Sequence, residues 1–145
     1  MKFPKVIALL ETACGVLVAA TPFVLPVCQG LLLTTTGKTV PMRCYYTGQT
    51  EIAVGLLLAF AGILAFAFGR QVEARGALNA LVLALGAVVI LIPTVILGTC
   101  ASPDMACNIG TKPALILLGS ATMLLGCVGL WEAWSSFRST PSVTA

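Results

Sequence analysis

The sequence predicts an all-α integral membrane protein, folded as a four-transmembrane-helix bundle. Of the 145 residues, 59% are hydrophobic and only 9% are charged, whereas about a quarter of the residues in a soluble domain are charged. The apolar residues fall into four runs, and each run is close to the roughly 20 residues needed to cross a bilayer. We therefore expect transmembrane helices at residues 6–27, 50–69, 77–98 and 114–131.

The basic residues predict the orientation of these helices. Short loops rich in Lys and Arg stay in the cytoplasm, and five basic residues lie on the side of the two termini, against three on the other side. The first group is Lys2, Lys5, Arg70, Arg75 and Arg138, and the second is Lys38, Arg43 and Lys112. Both termini should therefore be cytoplasmic, in a single membrane domain with hairpins at 1–70 and 76–135 and a short tail at 136–145.

The composition excludes several classes of function. The chain has no histidine, and Asp104 is its single aspartate, which removes His-based triads, His-ligated zinc and most paired-carboxylate chemistry. The net charge of +3 is spread thinly, without the basic clusters and interleaved aromatic residues of a nucleic-acid surface. We expect no nucleic-acid partner, and the sequence leans away from an enzyme.

The two halves of the chain repeat the same order of non-apolar features. Pro22 and Pro93 each precede a cysteine at the outer end of a helix, and each outer loop then closes with Met-x-Cys before the next helix. Glycines at heptad spacing follow in both halves and predict close helix packing. These glycines are Gly55, Gly62 and Gly69 in the first half and Gly119 and Gly126 in the second. The pattern predicts a duplicated helical hairpin.

Four of the six cysteines are expected at the outer surface, where disulfides persist. They are Cys28, Cys44, Cys100 and Cys107. Four cysteines allow three pairings, and the pairing in keeping with the repeat joins Cys28 to Cys44 and Cys100 to Cys107, which staples each outer loop at its base. Pairing between the hairpins would instead lock the two halves together, and the spacing does not choose between them.

The same cysteines permit two other interpretations. Four-helix proteins with cysteine pairs in their outer loops resemble the quinone-linked disulfide-forming oxidoreductases and the vitamin K epoxide reductases, and that resemblance implies electron transfer from thiols to a quinone. This chain lacks the Cys-x-x-Cys that those families carry. Alternatively, Met and Cys are soft ligands suited to Cu(I), so convergence of Met42, Cys44, Met105 and Cys107 would form a copper site.

Glu11, Cys14 and Cys127 are polar residues predicted inside the membrane. A carboxyl group there is costly and faces protein or water. Glu11 is therefore either a proton or cation relay or a structural group, which pairs with Arg70 or Arg75 or is protonated and bonded to a neighbouring helix. Cys14 and Cys127 are interpreted as small buried hydrophobes.

Two further expectations concern the outer end. Glu51 is predicted in the first turn of the second helix, where a carboxylate is stabilised by the helix dipole. Residues 31–40 are rich in β-branched side chains around Thr36-Gly37 and predict a short β-hairpin.

Three segments carry a family resemblance: Met42 to Thr47, Cys100 to Cys107, and Thr111 to Leu115, which reads TKPAL. Together they resemble an uncharacterised family of small bacterial and archaeal four-helix membrane proteins, catalogued as a domain of unknown function. Tyr45 stands where that family's pattern has histidine, which puts in doubt a metal or heme role at this position. The resemblance implies a location beside exporter-type ABC transporters.

These observations predict a non-enzymatic multi-pass protein of a prokaryotic inner membrane, surrounded by lipid. It would act as an accessory or subunit of a larger, transporter-type assembly, with other membrane proteins or further copies of itself as partners. No cofactor is expected under this interpretation. The alternatives are a quinone-linked thiol-disulfide oxidoreductase and a Cu(I)-binding or Cu(I)-transporting protein.

Overall fold

Four long helices dominate the computed structural model, which describes residues 3–25, 30–33, 37–41, 43–68, 71–98 and 107–139. The helices are α1 (Phe3–Val24), α2 (Arg43–Ala67), α3 (Val72–Leu91) and α4 (Lys112–Ser139). With the π-helical turns that adjoin α3 and α4, each is long and apolar enough to cross a membrane. The predicted fold class is confirmed.

Two π-helical turns interrupt the second half of the chain. One, at Ile92–Ile96, extends α3 beyond Pro93, and the other, at Cys107–Thr111, leads into α4. Proline has no backbone N–H for the carbonyl four residues before it, so Pro93 cannot complete a regular α-helical bond to Val89. Gly98, two residues after this π-helical turn, has a φ of 71°, a left-handed value suited to glycine.

The first connection contains the predicted β-hairpin. Strands β1 (Leu31–Leu33) and β2 (Thr39–Pro41) pair antiparallel, with Leu32 opposite Val40. Gly37 lies between them at a φ of 75°, a left-handed conformation that most L-residues avoid.

The helices pack as two tight hairpins, α1 with α2 and α3 with α4. In the first hairpin, a Cβ atom added to Gly55 would lie 2.5 Å from the backbone nitrogen of Ala19. One added to Gly62 would lie 2.7 Å from the backbone nitrogen of Thr12. Both separations are too short for a real Cβ, so these glycines allow the two backbones to touch.

The second hairpin uses glycine in the same way. A Cβ atom at Gly126 would lie 3.0 Å from the backbone nitrogen of Leu83, and one at Gly119 would lie 2.6 Å from Cγ1 of Ile90. The predicted packing glycines that the structure describes therefore lie at helix contacts within this chain. Gly69 falls outside the described residues.

The glycine contacts of the two hairpins correspond at a constant spacing. Ala19 and Ile90, like Thr12 and Leu83, are 71 residues apart. Their glycine partners on α2 and α4, Gly55 with Gly119 and Gly62 with Gly126, are 64 residues apart. This recurrence supports the duplicated-hairpin prediction, which stays a prediction.

An apolar cluster fills the space between the hairpins. Its buried members are Val18, Val54, Val89, Ile92 and Leu115. We call the end of the bundle that holds the β-hairpin, Cys44 and Cys107 the cysteine end. The opposite end, where α1 begins and α4 finishes, is the terminal end.

Candidate functional site

The sulfur atoms of Cys44 and Cys107 meet between the two hairpins at the cysteine end. Cys44 lies in the first turn of α2 and Cys107 begins the π-helical turn before α4, and both are buried. Their Sγ atoms are 3.3 Å apart, farther than the roughly 2.05 Å of a disulfide bond. The two Met-x-Cys cysteines thus converge, although the two sulfurs are not bonded to each other.

The predicted staples use cysteines that the structure does not describe. Cys28 and Cys100 lie outside the described residues, so the pairings Cys28 to Cys44 and Cys100 to Cys107 stay predictions. Met42 and Met105 also lie outside, and the proposed Cu(I) set is therefore seen only in part. Among the described residues, no group of three or more His, Cys, Asp or Glu side chains is placed to hold a metal ion.

A small cavity, called here the cysteine-end cavity, lies beside the two sulfurs. Its volume of about 10 Å³ is close to the minimum for a single water molecule. Its polar walls include Thr47, Glu51 and Thr111. The Thr47 hydroxyl donates a hydrogen bond to the Gly98 carbonyl at 3.0 Å, which joins α2 to the end of the second hairpin's first helix.

Glu51 lies fully buried against this cavity. Neither of its carboxylate oxygens, nor the buried Thr111 hydroxyl, has a hydrogen-bond partner within the described part of the chain. Burial of an unpaired polar group costs free energy, and burial of an unpaired charge costs far more. The cysteine-end cavity therefore has two polar groups that a ligand could satisfy.

The prediction that Glu51 stabilises a helix N-terminus is wrong. The second helix begins at Arg43, seven residues before the predicted start, so Glu51 lies in its third turn and faces the interior. The sequence did carry the signal: Cys44, Thr47, Gly48 and Glu51 follow the i, i+3, i+4, i+7 spacing of one helix face, and all four are buried.

A second cluster of polar side chains lies at the terminal end, around Glu11. This carboxyl group is fully buried and also lacks a hydrogen-bond partner among the described residues. Arg75, Asn79 and Glu132 line the same small cavity. The Asn79 side-chain amide donates to the Arg75 carbonyl at 2.8 Å, and the Arg75 guanidinium donates to Ser136 at 3.4 Å.

The predicted ion pair of Glu11 with Arg75 is not formed in the structure, because the Glu11 oxygens have no partner in the described residues. Arg70, the other expected partner, lies outside them. The Arg75 Nε, also buried, has no acceptor there either. The two groups share a cavity without a direct bond.

The two intramembrane cysteines differ from each other. Cys14 is half-buried on α1. Cys127 is exposed on the surface of α4, so the prediction that it is buried is wrong.

An open groove of about 480 Å³ lies at the terminal end between α3 and α4. Trp134 and Phe137 supply aromatic walls, and Glu73 and Arg138 supply the charges beside them. The Arg138 guanidinium lies 5.7 Å from the centre of the Trp134 ring, in cation–π distance. We call this feature the terminal groove.

The four apolar helices, with polar side chains gathered between them, define the class of polytopic α-helical membrane proteins. Within that class, the chain belongs to the family described as "Domain of unknown function (DUF4418)", whose match covers residues 12–132. The predicted membership of an uncharacterised family is confirmed. No curated protein and no solved structure matches the chain.

Proposed function

We propose that this chain is a small non-enzymatic subunit of a larger, transporter-type membrane assembly, multi-pass in a prokaryotic cell membrane with both termini in the cytoplasm. The observation that carries this proposal is the terminal groove. Its aromatic and arginine side chains are of the types enriched at protein interfaces, and Trp134 and Phe137 are exposed there. A helix of a partner protein would fill it.

The filled interior supports the same role. Val18, Val54 and Val89 pack at the centre of the bundle, between Glu11 on one side and Glu51 on the other. A solid centre suits a rigid subunit better than a conduit for solutes. Disulfides within the two outer loops, Cys28 to Cys44 and Cys100 to Cys107, would rigidify the cysteine end further.

Site-specific photo-crosslinking in native membranes tests this proposal. A photoreactive phenylalanine at position 137 reports on the groove, and one at position 56, an exposed leucine on α2, is the matched control. We expect a discrete heavier adduct from position 137 only. An adduct of twice the chain mass would make the partner a second copy, and the absence of any adduct from position 137 would reject the subunit role.

A second candidate is a thiol-disulfide oxidoreductase, favoured by the 3.3 Å contact between the sulfurs of Cys44 and Cys107. Exchange requires one sulfur to approach another closely, and this contact links the cysteine sets of both hairpins. A quinone would be the electron acceptor. A Cu(I) role would use the same two sulfurs with Met42 and Met105.

Mass spectrometry of the purified protein, with thiols blocked before and after reduction, separates these roles. The subunit proposal expects stoichiometric staples that resist mild reductant. Cysteine states that change when the host's quinone pool is reduced would favour the oxidoreductase. Protection of the cysteines and methionines by added Cu(I) would favour the metal role. The quinone-dependent result and the Cu(I) result would each contradict the disulfide staples that are part of the first proposal.

A further inference from the structure

The walls of the cysteine-end cavity come in pairs, one member from each hairpin. Pro22 and Pro93 both line it and are 71 residues apart, the same spacing as the glycine partners on α1 and α3. Thr47 and Thr111 also line it and are 64 residues apart, the spacing of the glycines on α2 and α4. The cavity therefore lies at the interface between the two hairpins, where membrane proteins with internal repeats place their ion and substrate sites.

The walls offer oxygen acceptors. The Thr47 hydroxyl gives its proton to the Gly98 carbonyl, which leaves the lone pairs of its oxygen available. Thr111 adds a buried hydroxyl that has no partner among the described residues.

At Glu51 the side chains of the two hairpins differ in chemistry. The residue 64 positions later is Leu115, which lines the same cavity and is equally buried. The second hairpin therefore fills this place with an apolar side chain, and a carboxyl group is not required for packing there. The substitution of a carboxyl for leucine gives the cavity a buried acidic group without a hydrogen-bond partner among the described residues, and Lys112, which lines the same cavity, does not bond to it.

These observations select the ligand. A carboxylate and hydroxyls are hard oxygen donors, which suit hard cations better than soft ones. The volume of about 10 Å³ admits one small ion or one water molecule. The described walls supply one carboxylate and two hydroxyls, fewer oxygen ligands than the roughly six to eight that Ca²⁺ usually takes. The single negative charge of the carboxylate matches a monovalent cation such as sodium.

We propose that the cysteine-end cavity binds a single sodium ion, with Glu51 as the residue that supplies the negative charge. The cation would compensate the buried carboxylate and hold the two hairpins together at their shared interface. This site does not depend on the proposed subunit role.

Thermal unfolding of the purified protein in nanodiscs tests the proposal, with sodium chloride compared with choline chloride at equal ionic strength and pH. A ligand that binds only the folded state stabilises it in proportion to the logarithm of its concentration. At a hundredfold excess over the Kd, we expect sodium to raise the midpoint of wild type by about 5–10 °C. Radioactive sodium should bind at one ion per chain.

Two variants and one control make this test specific. Glu51→Gln keeps the shape and removes the charge, and Glu51→Leu copies the second hairpin, so at least one of them should fold. Both should lose the sodium effect, while the control Glu132→Gln should keep it. A wild type that shows no sodium effect would overturn the proposal, and so would a sodium effect that survives in both Glu51 variants.

Repeating the measurement in choline chloride while the pH is lowered separates sodium binding from simple protonation of Glu51. Acidification that stabilises wild type but neither Glu51 variant, with no specific effect of sodium, would overturn the proposal. The other titratable groups that line the cavity with Glu51 are Cys107 and Lys112, both from the second hairpin. A pH effect that persists in Glu51→Gln therefore arises from another group, and only a sodium effect that is lost in this variant supports the site.

Discussion

The two hairpins share a framework but differ in what they bury. Glu11 and Glu51 of the first hairpin correspond, at the constant spacings of the glycine contacts, to Val82 and Leu115 of the second, and all four are fully buried. At each of these two positions, the second hairpin has an apolar side chain where the first hairpin has a carboxyl group. The comparison indicates that the carboxyl groups are not there to build the fold.

The opposite exchange, at Leu58 and Thr122, has a different meaning. Both residues are fully buried, and here the polar one belongs to the second hairpin. Thr122 donates its hydroxyl to the Leu118 carbonyl at 2.7 Å within its own helix, so its burial leaves no donor unpaired. A self-satisfied threonine is compatible with a purely structural role, whereas an unpaired carboxylate is costly to bury.

The largest effect should come from breaking the shared framework. Gly55→Leu would force apart α1 and α2, because even a Cβ atom at this position meets the backbone of Ala19 at 2.5 Å. We expect a loss of about 3 kcal/mol or more, measured as unfolding in a denaturing detergent. Gly76→Ala is the control, since its new Cβ would lie 3.7 Å from Ala133 and should be tolerated. Equal stability of the two variants would contradict the close backbone contact.

Copying the second hairpin into the first should stabilise the protein. In sodium-free buffer at neutral pH, Glu51→Leu should raise the free energy of unfolding by about 1–4 kcal/mol, because an unpaired buried charge is replaced by an apolar side chain. The reciprocal change Leu115→Glu should destabilise the protein. A destabilised Glu51→Leu variant would mean that the carboxyl group supports the fold and that the two positions are not equivalent.

A smaller difference should separate the paired threonines of the cysteine-end cavity. Thr47→Val removes the hydrogen bond to the Gly98 carbonyl and should cost about 1 kcal/mol. Thr111→Val removes a hydroxyl that has no partner among the described residues, so it should be neutral or slightly stabilising in sodium-free buffer. Thermal unfolding of the two variants side by side measures the difference, and a larger loss for Thr111→Val would reverse our assignment of the hydrogen bond.

The number and type of the helices could be predicted from the sequence, because apolar length decides them. The start of α2 could not be placed, since polar residues such as Arg43 and Gln49 suggested a loop before Thr50. They lie on exposed or half-exposed faces of the helix, while the buried face carries the cysteine and glutamate. A hydropathy window averages over these faces, and helix periodicity is the pattern that separates them.

The contacts of the polar groups were less predictable. That Cys44 would approach Cys107 followed only if the two halves packed symmetrically, a condition that spacing does not establish. The surroundings of Glu11 come from three other helices, through residues such as Ala65, Asn79 and Glu132. Which of these residues faces the carboxyl group depends on the rotation of each helix about its own axis. The sequence therefore predicted Arg75 as a partner of Glu11, and the structure does not pair the two.

The π-helical turn at Cys107–Thr111 gives the second hairpin one more residue than the first at this place. Cys44 and Thr47 are three residues apart, whereas Cys107 and Thr111 are four apart, yet both pairs reach the same cavity. A π-helical turn accommodates one additional residue without rotating the rest of the helix. The chain can therefore gain or lose one residue at this turn. Relatives that lack the exposed Ile109 should carry an ordinary α-helical turn here and still present both cysteines to each other.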